Sequence, residues 1–158
     1  MEISFRISLW NQFGASIDML EESIVMCPVE LWDRDSNFWY RVYHCLFYLD
    51  YFSTIDPMKY VSPSPFSNSE FENKQPDKIY SKAELLTYLQ MCRSKCHELI
   101  MNLSEESAKF RWINKYRDYS MFEMILYNLR HVQHHTAQLS QNLRISTNAA
   151  PKWVAQAK

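Results

Sequence analysis

One glycine, Gly14, stands in this 158-residue chain. Glycine is the residue that takes φ > 0 without steric cost, and the tight two-residue turns of β-hairpins depend on such positions. A chain almost without glycine has few places to turn a strand back on itself. It is left with helices, and we expect no strands. Hydrophobic residues at 47%, aromatics at 15% and six prolines point to a packed core rather than low-complexity disorder. A chain of this length makes one domain, so residues 1–158 are read as a single all-α unit.

The apolar periods place four helices. In "SLWNQFGASIDMLEESIV", Trp10, Phe13, Ile17, Leu20 and Ile24 recur every three or four residues, which predicts an amphipathic helix that stops before Pro28. "NFWYRVYHCLFYLDYFST" is apolar around most of its circumference and predicts a second helix, buried on several sides and ending before Asp56 and Pro57. A third helix opens at the capping box "SKAE" (Ser81 to Glu84), with Leu85, Leu89, Cys92, Cys96 and Leu99 or Ile100 on its inner face. A second box, "SMFE" (Ser120 to Glu123), opens the fourth and longest helix, striped by Phe122, Ile125, Leu129, Val132, Leu139 and Leu143. In the tail "STNAAPKWVAQAK" only Trp153 is a candidate packing residue.

Between the second and third helices lies "DPMKYVSPSPFSNSEFENKQPDKIY", with four prolines and no period. A link of roughly 25 residues is long enough to run back along a whole helix. The two helices it joins can therefore be parallel, and the expected architecture is a four-helix bundle with up-down-down-up connectivity. The loop itself is either a lid beside a site or a covering strap, with Phe66 or Phe71 as its anchor.

Charge and targeting signals narrow the function. Seventeen Lys and Arg against 18 Asp and Glu give a net charge of -1, which leaves no basic surplus for a nucleic-acid backbone. "MEISFRISLWNQF" lacks the apolar run of a secretory signal, and no apolar run nears the roughly 18 residues of a membrane span. The expected setting is the cytoplasm, away from nucleic acid and membrane. There Cys27, Cys45, Cys92 and Cys96 stay thiols and serve as packing groups.

The histidines carry the chemistry. "LRHVQHHTAQLS" holds three of the five in the chain. His131 and His135 lie one helical turn apart, beside the apolar stripe, at the spacing by which a helix holds a transition metal. His44, midway along the second helix, is the natural third ligand, because antiparallel neighbours would bring the two mid-helix positions to similar depth. Tyr40, Phe47 and Tyr48, with Tyr51 beyond, surround His44 as an aromatic wall that also offers phenolic hydroxyls. Gln138, one turn after His135, is placed to hydrogen-bond a ligand or a bound water. His134 points roughly 100° away from His135 and belongs to the surface or to an outer shell. The plainer alternative is that these imidazoles are solvated or held by carboxylates. A competing cluster, Cys92, Cys96 and His97 in "MCRSKCHELI", is read as packing.

The aromatic opening "FWYRVYH", the long loop and "NLRHVQHHTAQL" together resemble the DinB/YfiT-like metalloenzymes over nearly the whole chain. The resemblance implies an up-down-down-up bundle with a three-histidine site, here His44, His131 and His135. Thr136 and Ala137 stand where family members often have Arg-Gly.

The metal is expected to be divalent, zinc or nickel, since neutral imidazole suits both. The glutamate of HExxH is missing, which disfavours a protease. The resemblance implies instead a thiol-dependent S-transferase or isomerase acting on a small molecule with a low-molecular-weight thiol, and the aromatic content makes a homodimer the expected assembly. Tyr40, Tyr48 and Tyr51 are the candidates for a general base, by their nearness to His44. The alternative is a non-catalytic, metal-stabilised or ligand-sensing dimeric bundle in a stress response.

Overall fold

Ser81 and Ser120 begin two of the long helices, as their side chains predict. The Ser81 hydroxyl accepts from the Glu84 amide and Glu84 reaches back to the Ser81 amide at 2.8 Å, a complete capping box. Ser120 accepts from the Glu123 amide at 3.1 Å. The computed structural model describes residues 1–34 and 37–158. In chain order its helices are α1 (Ile3–Met26), α2 (Val29–Trp32), α3 (Phe38–Phe52), α4 (Lys82–Met101), α5 (Glu105–Ala108) and α6 (Met121–Thr147). The protein is thus mostly helical, with 3₁₀ turns at Pro57–Lys59 and Ser69–Glu72 within the long loop.

Two strands depart from the expectation. β1 (Arg111–Ile113) and β2 (Asp118–Ser120) pair antiparallel, with Trp112 opposite Tyr119. The turn between them needs no glycine. Asn114 closes it by accepting from the amides of Tyr116 and Arg117, both at 2.8 Å, so a side chain supplies what a positive φ would otherwise provide. Elsewhere asparagine takes the left-handed positions itself: Asn37, Asn73 and Asn148 have φ of 47°, 54° and 57° at helix or 3₁₀ ends. Gly14 turns nothing. It lies inside α1 where the C-terminal tail crosses, and a Cβ there would sit 2.6 Å from Ala157 Cβ.

Polar contacts set the directions of the long helices. Arg6 near the start of α1 donates to the Met101 carbonyl at the end of α4, and Lys82 at the start of α4 donates to Cys27 beyond the end of α1, so α1 and α4 run antiparallel. Between α3 and α4 the contacts rise together, Leu46 with Cys92, Asp50 with Lys95 and Ser53 with Cys96, which makes that pair parallel. α6 packs on α1 and α3. Its Asn128 donates to the Leu49 carbonyl and to Ser53 Oγ, each at 3.1 Å.

The core contains Phe13, Ile17, Leu20, Leu46, Leu89, Val132 and Leu139, all essentially inaccessible. Two predicted stripe residues are placed differently. Phe122 is exposed, with Met121 and Met124 buried in its stead, because the buried face runs from Met121 through Met124, Ile125, Asn128 and Val132. Trp153 is exposed as well: the tail is held by backbone bonds, Ala157 to Asn11 and Lys158 to Asp18, rather than by its indole. At the end of the third predicted stripe Ile100, not Leu99, is the buried residue.

Asp50 is the most heavily used polar group between α3 and α4. Its carboxylate accepts from Lys95 at 2.5 Å, Tyr60 at 2.8 Å and Tyr88 at 3.1 Å, while being almost wholly buried. Removing it takes a shared acceptor from three donors, of which Lys95 keeps Thr54 Oγ1 and a backbone carbonyl. Asp50→Ala is expected to destabilise the protein by about 3 kcal/mol, read as a lower midpoint in urea unfolding with unchanged helicity.

Candidate metal centre

His44 on α3 and His131 and His135 on α6 come together. Their ring centroids lie 4.8 Å (His44 to His135), 4.5 Å (His131 to His135) and 5.7 Å (His44 to His131) apart. One nitrogen from each ring lies within 4.8 Å of the others. The α-helical repeat puts His131 above His135, and α6 packing on α3 brings both beside His44.

The remaining nitrogens show how the rings are aimed. Glu70 accepts from His44 Nδ1 at 2.8 Å, and a carboxylate can only accept, so the His44 lone pair is on Nε2. Gln138 accepts from His135 Nδ1 at 2.9 Å through Oε1, while its own amide nitrogen donates to His134 Nε2 at 3.1 Å. His135 is thereby held in the same tautomer. Partners of this kind are what orient imidazoles around metals. His131 Nδ1 is buried without a hydrogen-bond partner among the described residues. An orphaned imidazole nitrogen beside two rings with fixed lone pairs fits a donor set for a transition metal.

His131 and His135 are also neutral. Burial, reinforced by the neighbouring histidines, pushes His131 down to about 2 and His135 down to about 4. At neutral pH neither carries the proton that would compete with a cation.

Beside the triad is a cleft of about 490 Å³ whose wall includes Tyr48, Tyr51, Phe52, Phe71, Arg117 and Tyr127. Of the tyrosines expected near His44, Tyr48 and Tyr51 line this space. Tyr40 stands behind it, its ring 6.4 Å from that of His44. Tyr40 and Tyr48 offer no ready base. Burial, followed by the charge of Glu70, pushes Tyr40 up to about 12 and raises Tyr48, so both keep their protons and act as donors. The Tyr51 hydroxyl accepts from Asn114 at 3.1 Å.

The cysteine cluster takes no part. Cys92 and Cys96 are buried against α3, where burial holds both thiols high, and His97 packs on Trp10 at 4.7 Å. Glu70, the partner of His44, was not foreseen, nor were Arg117, Asn114 and Tyr127 in the wall of the cleft. Glu70 lies in the aperiodic loop, where the only hint is an acid next to an aromatic in "SEFEN".

A sequence profile of the DinB superfamily matches residues 12–139. The chain belongs to the DinB superfamily. No curated protein and no solved structure matches it. The DinB match takes in all three clustered histidines and Gln138, and stops short of the C-terminal tail. Among the described residues, no helix of this DinB protein is long and apolar enough to cross a membrane.

Depressed imidazole pKa values make the metal-free protein sensitive to acid. Unfolded histidine titrates near 6.5. Here the folded values lie lower, so the unfolded chain binds more protons below that point, and the stability is present above pH 6.5 and lost as pH falls toward 4. The expected loss is roughly 1 kcal/mol per pH unit for each ring. Urea unfolding of chelator-treated protein at pH 7, 6 and 5 should show a slope that His131→Gln makes shallower.

Proposed function

We propose that this DinB protein is a metal-dependent enzyme whose His44, His131 and His135 hold a divalent ion, zinc or nickel, and whose reaction joins a small-molecule substrate to a low-molecular-weight thiol or isomerises it through that thiol. The observation that carries this reading is the set of three imidazoles whose nitrogens converge, two of them aimed by Glu70 and Gln138. In such a site a bound ion supplies Lewis acidity and lowers the pKa of a bound water or thiol.

The surroundings favour thiol transfer over hydrolysis. Among the described residues no carboxylate lines the cleft, since Glu70 is bonded to His44 and does not face that space. A thiol held as its thiolate attacks without a general base, which suits a cleft that, among the described residues, offers no carboxylate to serve as one. Tyr48, protonated, is placed to donate to an oxygen of the substrate as charge develops there. Phe52 and Phe71 keep one side of the cleft apolar.

The same reading takes residues 1–158 as one domain, an up-down-down-up four-helix bundle. The antiparallel contacts of α1 with α4 and the parallel ones of α3 with α4 support that connectivity. A cytoplasmic setting, where the four buried cysteines remain thiols, belongs to it too.

Elemental analysis of protein prepared without a histidine tag tests the metal. Near-stoichiometric zinc or nickel in the wild type, lost in His131→Ala, is expected. A wild type that takes up neither ion after incubation sinks the reading. Glu70→Ala should keep the fold and weaken metal affinity by about 10- to 100-fold, measured by competition with a chromogenic chelator.

One observation favours a second reading, a non-catalytic dimer that senses a ligand. Ile3, Phe5 and Ile7 near the start of α1 are all exposed and offer apolar area for a second copy. Size-exclusion chromatography and a thiol-conjugation assay separate the two: the enzyme turns over an electrophile with a thiol, while the sensor binds without turnover.

A further inference from the structure

Among the described residues, Arg117 is a guanidinium without a carboxylate partner. Of the other arginines at helix and strand contacts, Arg93 pairs with Asp18 and Arg111 with Asp118, and the latter engages the acid that adjoins Arg117 in sequence. Among the described residues no acid stands within ion-pair distance of Arg117 itself, although it is partly buried in the wall of the cleft that holds the three histidines.

The ribbon that carries it is fixed at several points. Trp112 is fully buried and donates through Nε1 to the Thr54 carbonyl at 2.9 Å, anchoring β1 to the end of α3. Asn114 ties the turn, accepting from the Arg117 amide and donating to Tyr51. The guanidinium carbon lies 4.9 Å from the Tyr127 ring centre and 5.5 Å from that of Phe52, and Nη2 donates to the Tyr127 hydroxyl at 2.7 Å. One nitrogen is thus used to orient the group. Among the described residues Nε and Nη1 make no hydrogen bond; each shares an edge of the planar fork with one hydrogen of Nη2, so with one Nη2 hydrogen given to Tyr127 the other edge keeps both donors for a ligand.

Phe52 links Arg117 to the triad: the His131 ring lies 5.7 Å from the same phenyl ring. A molecule bound at the histidines is therefore within reach of the arginine. With the Arg117 cation in the wall and, among the described residues, no carboxylate lining it, the potential of the cleft favours an anion.

We propose that Arg117 is the specificity-determining residue of this cleft and that the small thiol used by the protein carries a carboxylate, which the guanidinium grips while the sulfur lies at the histidines. The inference rests on the metal and thiol reading above and names the chemical class of its thiol. Arg117 is a binding and positioning residue. It is assigned no bond-making step.

The test uses zinc-loaded protein whose metal content is confirmed first by elemental analysis. Thiol acids with one to four methylenes between sulfur and carboxylate are titrated calorimetrically, each against the neutral thiol alcohol of equal length. At one chain length or more, the acid should bind the wild type about 10-fold more tightly than its alcohol. Arg117→Gln should abolish that preference and leave zinc content and alcohol affinity unchanged, and Arg117→Lys should restore part of it. Circular dichroism and melting temperature establish that both variants are folded.

Equal affinity for acid and alcohol at every length in zinc-loaded wild type overturns the role of Arg117 and leaves the metal reading standing. A preference that survives in Arg117→Gln overturns it as well. Wild type that takes up no zinc, or zinc-loaded protein that binds neither acid nor alcohol, removes the metal or thiol reading, and the inference falls with it.

Discussion

Asn128, buried on α6, spends its amide hydrogens on the Leu49 carbonyl and Ser53 hydroxyl of α3. A slip of either helix by one turn, about 5.4 Å, would break both bonds and leave a buried amide unpaired. The same slip would carry His44 out of reach of His131 and His135. On the opposite flank of α3, Asp50 fixes the register against α4 through Lys95, Tyr60 and Tyr88. The depth at which the imidazoles meet is therefore set by polar contacts made one to three turns away from them, in a core whose apolar side chains would tolerate several alignments.

What the residues disclosed and what they concealed follows the range of the interactions. Ser81 and Ser120 announce helix starts because a cap involves neighbours three residues apart, and His131 and His135 announce a shared face because the helical repeat is local. His44 required a second segment and a resemblance. Glu70 meets His44 across 26 residues, from a stretch with no period to assign it a direction. The hairpin escaped notice for a different reason: a scarcity of glycine excludes the commonest tight turns, but Asn114 makes a longer one with its side chain. The left-handed asparagines Asn37, Asn73 and Asn148 tell the same story at helix and 3₁₀ ends.

The tyrosines illustrate how environment revises a role assigned from position. Proximity to His44 made Tyr40, Tyr48 and Tyr51 candidates for a base. In the folded protein Tyr40 lies outside the cleft, Tyr48 is held protonated by burial, and Tyr51 is engaged by Asn114. The cleft thus offers donors to its contents and few acceptors. That bias is shared by the Arg117 edge and suits ligands rich in negative oxygen or sulfur.

Among the attachments of the long loop, two differ in character. Phe66 stacks on Tyr88 at 4.1 Å, far from the histidines, and Glu70 bonds His44 while Phe71 packs against Phe47 and Tyr51. The first attachment is apolar and indifferent to what the histidines hold. The second is a direct partner of one of them. Binding at the imidazoles and docking of this segment are consequently two halves of one thermodynamic cycle: whatever free energy the docked carboxylate adds to ion affinity, a bound ion returns to the docked loop. The order of a 25-residue stretch of backbone, the part of the molecule with the least secondary structure, is thereby coupled to the occupancy of a single atom-sized site.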